Sequence, residues 1–205
     1  FYNIKNNASK RQEIPVNNDS ILNFTKDHDC HLFDFYASIF ALYLSRIDRL
    51  EGCLLKTIIP RKNDLESFDK TTYLKIDVSK QDSFNDLLNE FNSTFKNASN
   101  HGEVDVDNYL DENVSYYSIY DFNDLNENID IYNGDDSALT LNIYNDYLEI
   151  VYNSELFSDK YVKHMAKNIE SLISNVLDSP NQEITNIDIL SDEELVRAIM
   201  EAKAL

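Results

Sequence analysis

Residues 139–177 read LTLNIYNDYLEIVYNSELFSDKYVKHMAKNIESLISNVL, and they contain the pattern of a β-hairpin followed by a helix. Two apolar runs, 139–143 and 147–152, flank Asn145-Asp146, a pair that tolerates a tight turn, so the pattern predicts a β-hairpin. Ser158 then precedes a helical stripe that ends before Pro180. The side chains predicted for the buried face of that helix are Val162, Met165, Ala166, Ile169, Leu172, Ile173 and Val176.

Upstream of the hairpin, apolar periodicity predicts two further helices and three further strands. A helix is expected from Leu32 to Ile47, and a second one, capped by Ser79 or Asp82, from Phe84 to Ala98. The predicted strands are 53–59, buried on both faces, 72–78, with one wet face, and 115–120.

The two ends of the chain are read differently. Residues 1–20 are polar and are expected to be a linker entering the fold, with Asp19-Ser20 capping a short helix near Ile21. Residues 184–190 are predicted to be a short strand. Ser191 with Glu194 forms a capping box for a closing helix, and residues 191–205 are expected to hold this helix and the start of a linker to a following domain. The folded lobe is therefore expected to span 21–190, as an α/β (α+β) two-layer sandwich in which helices cover a mixed sheet.

The composition of the chain limits the classes of partner and the compartment that we expect for it. The 205 residues include 37 acidic and 18 basic ones, a formal charge of −19 that repels nucleic acid and anionic membranes. No apolar run reaches the roughly 18 residues that a membrane span needs. The two cysteines allow one disulfide and equally fit free thiols in a reducing compartment, and we expect the cytoplasm. The start at Phe1, without an initiator Met, and the end at Leu205 suggest a piece of a longer polypeptide, although removal of an initiator Met would give the same start.

The element order and several motifs resemble the C-terminal lobe of a nonribosomal peptide synthetase condensation domain, a domain built from two chloramphenicol-acetyltransferase-like lobes. LEIVYNSELFS at 148–158 is similar to the strand of that family that ends in Tyr-Asn before Leu-Phe. IDILS at 187–191 with Glu194 is similar to its closing segment, and IIPR at 58–61 and the helix from Phe84 to His101 match its upstream part.

The resemblance implies amide bond formation between acyl or aminoacyl thioesters held on the phosphopantetheine arms of carrier proteins. The catalytic His-His-x-x-x-Asp-Gly motif of the family lies in the N-terminal lobe and is absent from this sequence, so the chain alone is expected to be inactive and to bind no cofactor directly. Its implied partners are the N-terminal lobe, carrier domains and a following adenylation domain.

Two departures from the family pattern favour an alternative function. ESFDKT at 66–71 replaces a Gly-x-Phe-Val-Asn-Thr loop, and Gly102-Glu103 follows His101 where the family has Gln-Asp-Pro. The alternative is a degenerate, non-catalytic docking or structural platform within a synthetase. A stand-alone acetyltransferase-like enzyme is a third reading, which the missing histidine motif disfavours.

Four groups of residues are candidate sites. Ser118 and Tyr120 lie in the strand that resembles the wall of the substrate tunnel, although core or exposed sheet fits their alternation equally. Lys160, Lys163, His164 and Lys167 form one basic stripe, either a carrier-docking surface or an ordinary solvated helix face.

His28-Asp29-Cys30-His31 has metal-ligand residue types but no second cluster, and a helix junction explains it, so we predict no metal. His101 is a base by type, and a helix-end role explains it as well.

Overall fold

A mixed sheet of six strands forms one layer of the described protein. The structure, a computed structural model, describes residues 9–59, 70–101, 116–123 and 137–190. Its strands are β1 (Ser9–Pro15), β2 (Gly52–Ile59), β3 (Lys70–Asp77), β4 (Tyr117–Asp121), β5 (Leu139–Ile143) and β6 (Tyr147–Asn153). They lie in the order β1-β6-β5-β4-β2-β3, and β4 is parallel to both of its neighbours while the other pairs are antiparallel.

Helices form the second layer. They are α1 (Asn18–Asp27), α2 (Leu32–Asp48), α3 (Phe84–His101) and α4 (Asp159–Asp178). One apolar core cluster takes side chains from all four helices and from a single face of every strand. The predicted α/β two-layer class is therefore confirmed, as are the predicted positions of α2, α3, α4 and the β5–β6 hairpin.

Helix α2 is the centre of the core. Every residue from 33 to 45 is buried, because the helix lies between the sheet and its neighbouring helices. The sequence predicts only one apolar stripe for this helix, but a helix that is apolar over most of its circumference is buried on all sides. Helix α4, by contrast, buries the seven predicted side chains and no others.

Side chains cap the start of each helix, and at α2 the Asp34 carboxylate accepts a 2.8 Å hydrogen bond from the His31 amide. The Ser158 hydroxyl accepts a hydrogen bond from the Tyr161 amide, as predicted for α4. The caps predicted for α1 and α3 are wrong by a few residues. Asn17 caps α1, and Ser83 and Asp86 cap α3 by exchanging hydrogen bonds. Since Ser, Asn and Asp all satisfy helix amides, closely spaced candidates compete and the backbone geometry selects among them.

The linker predicted for residues 1–20 is wrong where the structure describes it. Residues 9–15 form the edge strand β1, which pairs with β6 from Ser9↔Asn153 to Pro15↔Tyr147. Only one residue of the strand, Ile14, is buried, so the period-two signal of a half-buried strand is missing. Pro15 fits this edge position, where a strand can lack an amide donor.

The strand predicted for 184–190 is also wrong. Ile184–Asn186 is a short 3₁₀ helix, and the chain continues to residue 190 without a strand. Ile184 and Ile187 are both buried, and side chains three residues apart fall on the same side of a 3₁₀ helix. The predicted capping box at Ser191 and Glu194, with the closing helix over 191–205, lies outside the described residues.

Gly52 begins β2 where the backbone of β3 approaches closely. A Cβ atom at this position would lie 2.0 Å from the carbonyl oxygen of Ile76 on the paired strand. Only glycine fits such an approach, so this residue allows the β2–β3 pairing to start at Gly52↔Asp77.

Candidate functional site

The face of the sheet opposite the core is buried and largely polar at its centre, whereas its side chains on the edge strands, such as Arg11 and Lys75, are exposed; we call it the polar face. Strand register places on this face the side chains that alternate with the core residues. Of these side chains the buried ones are Leu54, Lys56, Ser118, Tyr120, Thr140, Asn142, Glu149, Val151 and Asn153. Buried polar groups need partners, so a face of this composition is built to hold hydrogen bonds.

Ser118 and Tyr120 both lie at the centre of the polar face. They project from β4, and their cross-strand neighbours on β5 are Thr140 and Asn142. Ser118 is fully buried and Tyr120 nearly so, yet neither belongs to the apolar core cluster. The alternation therefore places the two residues together as predicted, but on a buried polar surface, which neither of the two bland readings anticipates.

Glu149 and Asn142 form a buried polar pair that sequence reasoning missed. They are directly opposite each other in the β5–β6 hairpin, and the Asn142 amide donates a 2.9 Å hydrogen bond to the Glu149 carboxylate. Arg11 of β1 approaches the same carboxylate at 3.4 Å from solvent. The sequence could have predicted this pair, because the turn at Asn145-Asp146 fixes the register of the hairpin and thereby pairs residue 142 with residue 149.

A lysine continues the polar face onto β2. Lys56 is buried and is the cross-strand neighbour of both Tyr73 and Ser118. Its ammonium group lies 5.5 Å from the centroid of the Tyr116 ring, and that ring packs edge-on against Tyr73. A cation over an aromatic face is held by the ring quadrupole as well as by any anion nearby.

The basic stripe lies on the outer side of α4. Lys160, Lys163 and Lys167 are exposed and His164 is half-buried. All four project away from the buried face of the helix, so they share one solvent-facing side as the spacing predicts. The structure brings them together and leaves the choice between docking surface and solvated face untested.

Beside the stripe, the first turn of α4 is tied to the sheet. The Asp159 carboxylate accepts hydrogen bonds from the Lys10 ammonium at 2.8 Å and from the Tyr152 hydroxyl at 3.1 Å. The bond with Lys10 lowers the pKa of Asp159 and raises the pKa of Lys10. This contact connects the first turn of α4 to β1 and β6.

The cysteine and histidine candidates lie at helix ends. His28 ends α1, His31 begins α2, and Cys30 lies between them, so the cluster is a helix junction. Within the described ranges, no group of three or more His, Cys, Asp or Glu side chains is arranged to hold a metal ion. Both Cys30 and Cys53 are free thiols. His101 is the last residue of α3, and its side chain and residues 102 and 103 lie outside the description, as do residues 66–69.

Among the helices that the structure describes, none is long and apolar enough to cross a membrane. Net charge bears on whether a protein associates with a membrane surface, whereas the length and apolarity of a helix bear on whether it inserts into the membrane.

Comparisons with known proteins give matches at the level of structure only. No protein-family model matches the sequence, and no curated protein matches it either. A complex of the X-domain and OxyB from teicoplanin biosynthesis matches with a TM-score of 0.73 and 14% identity, over 93% of this chain and 50% of that chain.

Two condensation domains match in the same way. For the first condensation domain of the CDA synthetase the TM-score is 0.69 at 9% identity, over 89% of this chain and 48% of that one. For the starter condensation domain of rhizomide synthetase RzmA the TM-score is 0.63 at 14% identity, over 89% of this chain and 48% of that one. The chain thus spans about half the length of these structures, and its fold is that of one half of a condensation domain.

Proposed function

We propose that this chain, which folds as half of a condensation domain, is the C-terminal lobe of such a domain in a nonribosomal peptide synthetase. The parent domain joins a donor acyl or aminoacyl thioester to an acceptor amine. The amine nitrogen attacks the thioester carbonyl, the new C–N bond forms, and the C–S bond breaks to release the carrier thiol. The observation that carries the proposal is the match over about nine-tenths of this chain to half of each neighbour.

In this proposal the polar face supports the wall that the chain contributes to the reaction site. Ser118, Thr140 and Asn142 are buried, so they are proposed to act from behind that wall, by fixing the groups that meet the amides and hydroxyls of phosphopantetheine arms. Tyr120 lies among them. The catalytic histidine comes from the N-terminal lobe, so these residues position the carrier-bound substrates and take no part in the proton transfer.

The stripe of Lys160, Lys163, His164 and Lys167 is proposed to meet a carrier domain. Carrier proteins are acidic, and exposed charges act over about 10 Å at 0.1 M salt, so a local basic surface attracts an acidic partner although the whole chain is negative. The other proposed partners are the N-terminal lobe and an adenylation domain.

A non-catalytic platform is the second candidate. The X-domain among the structural neighbours was solved in complex with OxyB, which shows that a protein of this fold can hold a partner protein. The sequence departures at 66–71 and 102–103 favour this candidate, since they alter the loops that resemble the family's tunnel.

The two candidates are separated by assaying the polypeptide that contains this chain, with loaded donor and acceptor carrier domains, for amide product by mass spectrometry. Product formation supports the first candidate and rules out the platform. Ser118→Ala should then lower turnover by about tenfold, as expected for a misplaced reactant, while lowering the unfolding free energy by about 1–3 kcal/mol because the hydroxyl is buried, so the assay is run well below the unfolding temperature of the variant. Ser174→Ala, at an exposed position on α4, is the matched control and should leave turnover unchanged. Absence of product with verified loaded carriers would refute the first candidate.

A further inference from the structure

Three aromatic rings stack side by side where the polar face ends. Phe122 follows β4, and Tyr144 and Tyr147 flank the turn between β5 and β6. The ring centroids of Phe122 and Tyr144 are 4.9 Å apart, those of Tyr144 and Tyr147 are 4.5 Å apart, and the ring planes differ by only 12° and 14°. The three rings therefore form one continuous column across neighbouring strands, which we call the aromatic row.

Strand pairing holds the aromatic row in place. The Phe122 amide donates a 3.0 Å hydrogen bond to the Ile143 carbonyl, and the Tyr144 amide donates one of 3.0 Å to the Tyr147 carbonyl. All three rings are half-buried, so each keeps part of its surface exposed. Side chains that are already ordered lose little conformational entropy when a ligand stacks on them, so the aromatic row is preorganised for binding.

The edge strand β1 borders the aromatic row at Tyr147. Pro15 lies directly opposite Tyr147 in the β1–β6 pairing, Glu13 is the next residue of β1 on the same face, and both are exposed. A diagonal cross-strand neighbour lies about 7–8 Å away, within reach of a long side chain that packs on Tyr147. Arg11, further along this face of β1, approaches the Glu149 carboxylate at 3.4 Å. The aromatic row therefore ends beside an exposed carboxylate.

Further carboxylates lie along the aromatic row. Asp121 directly precedes Phe122, and Asp146 lies in the turn between the two tyrosines. Four acidic residues and no lysine or arginine occur in the strand ends that carry or border the row, which are residues 13–20, 121–123 and 143–148. The local potential is therefore negative, and a ligand that binds here is expected to be a cation.

We propose that the aromatic row is a docking site for an arginine side chain in a basic segment of a partner protein. The guanidinium group is planar, stacks on aromatic faces and donates paired hydrogen bonds to carboxylates, so one group can use both Tyr147 and Glu13. The formal charge of −19 repels a second copy of this chain and attracts a basic segment. This inference goes beyond the proposed function, because acidic carrier domains are repelled from the aromatic row.

The test measures how the full 205-residue chain binds two fluorescently labelled peptides of equal charge. One peptide alternates glycine with arginine, and the other alternates glycine with lysine. Fluorescence anisotropy gives both dissociation constants. We expect the arginine peptide to bind at least about threefold more tightly, because an ammonium group is more strongly hydrated than a guanidinium group and lacks its planar face.

A ring variant tests the aromatic row itself. Tyr147→Leu should weaken binding of the arginine peptide by about tenfold, because it removes the ring and keeps an apolar side chain, whereas Tyr147→Phe should bind like the wild type. The matched control is Tyr161→Leu on α4. Tyr161 also stacks on a ring, that of Phe157 at 5.8 Å, but it lies beside Lys160. Its variant should bind like the wild type, and circular dichroism checks that every variant folds.

A charge variant tests the carboxylates independently of the rings. Glu13→Gln/Asp146→Asn should weaken binding of the arginine peptide at low salt, and the difference from the wild type should shrink at high salt. Glu170→Gln/Asp178→Asn removes two exposed charges from α4 and gives the same net charge. This control should bind more tightly than Glu13→Gln/Asp146→Asn at low salt.

Four results would overturn the inference. The first is that the wild type binds neither peptide, or binds both equally tightly. The second is that folded Tyr147→Leu binds the arginine peptide like the wild type. The third is equal weakening by the two charge variants, because binding would then depend on net charge alone. The fourth is a wild-type dimer in sedimentation that Tyr147→Leu dissociates, because a second copy would then cover the aromatic row.

Discussion

Substitutions of Glu149 test which interactions of its carboxylate stabilise the polar face. Its side chain is 6% exposed, and its ion-pair partner Arg11 is 60% exposed. An ion pair with a solvated partner contributes about 0–1 kcal/mol, whereas a buried amide that loses its acceptor costs about 1–3 kcal/mol. We expect Glu149→Gln, which keeps an acceptor oxygen for Asn142, to lower the free energy of unfolding by less than about 1 kcal/mol. Glu149→Ala should lower it by about 2–3 kcal/mol, because it removes the acceptor and buried methylene groups.

Urea unfolding followed by far-UV circular dichroism measures these differences directly. Arg11→Ala is the matched variant, since it removes the ion pair and leaves the hydrogen bond to Asn142, and it should resemble Glu149→Gln. If Glu149→Gln destabilises the protein as much as Glu149→Ala does, the charge of Glu149 matters more than its hydrogen bond and the reasoning is refuted.

Two further predictions concern β2 and the thiols. Gly52→Ala places a Cβ against the Ile76 carbonyl oxygen and should cost about 1–3 kcal/mol in thermal or urea unfolding, with Ser174→Ala as an exposed control; an unchanged stability would contradict the close approach. Burial raises the pKa of Cys30 to about 11 and that of Cys53 to about 12, so both thiols stay protonated until the pH approaches those values. Iodoacetamide labelling of the native protein at about pH 8 should therefore be slow and should accelerate as pH rises, with half-buried Cys30 reacting before Cys53; rapid labelling of native Cys53 would contradict this.

The spacing of apolar residues was sufficient to predict those helices and strands that bury one face and expose the other. The apolar residues of α4 recur with a period of 3.6 and the opposite side of the helix faces solvent, so its seven buried positions could be predicted individually. The β5–β6 hairpin was predictable because its turn and both apolar runs are adjacent in sequence. Strand β1 was not, because its partner lies on β6 and its own side chains, apart from Ile14, face solvent.

The site was only partly predictable for a related reason. Alternation places Ser118 and Tyr120 on one face, but whether that face is buried depends on what lies over the sheet, which is not local information. Register from the hairpin pairs Asn142 with Glu149, whereas the approach of Arg11 depends on the unpredicted strand β1.

The pairing of β1 with β6 has a consequence for how the protein is made. Ser9 finds its partner at Asn153, so the edge strand of the sheet has nothing to pair with until most of the chain has left the ribosome. At the usual pace of synthesis this delay is on the order of 10 s. Helix α2, buried on all sides in the finished molecule, has no α4 to cover it during the same interval. The apolar surface of α2 that α4 covers therefore stays open during this interval, and long-range contacts of this kind slow folding as well.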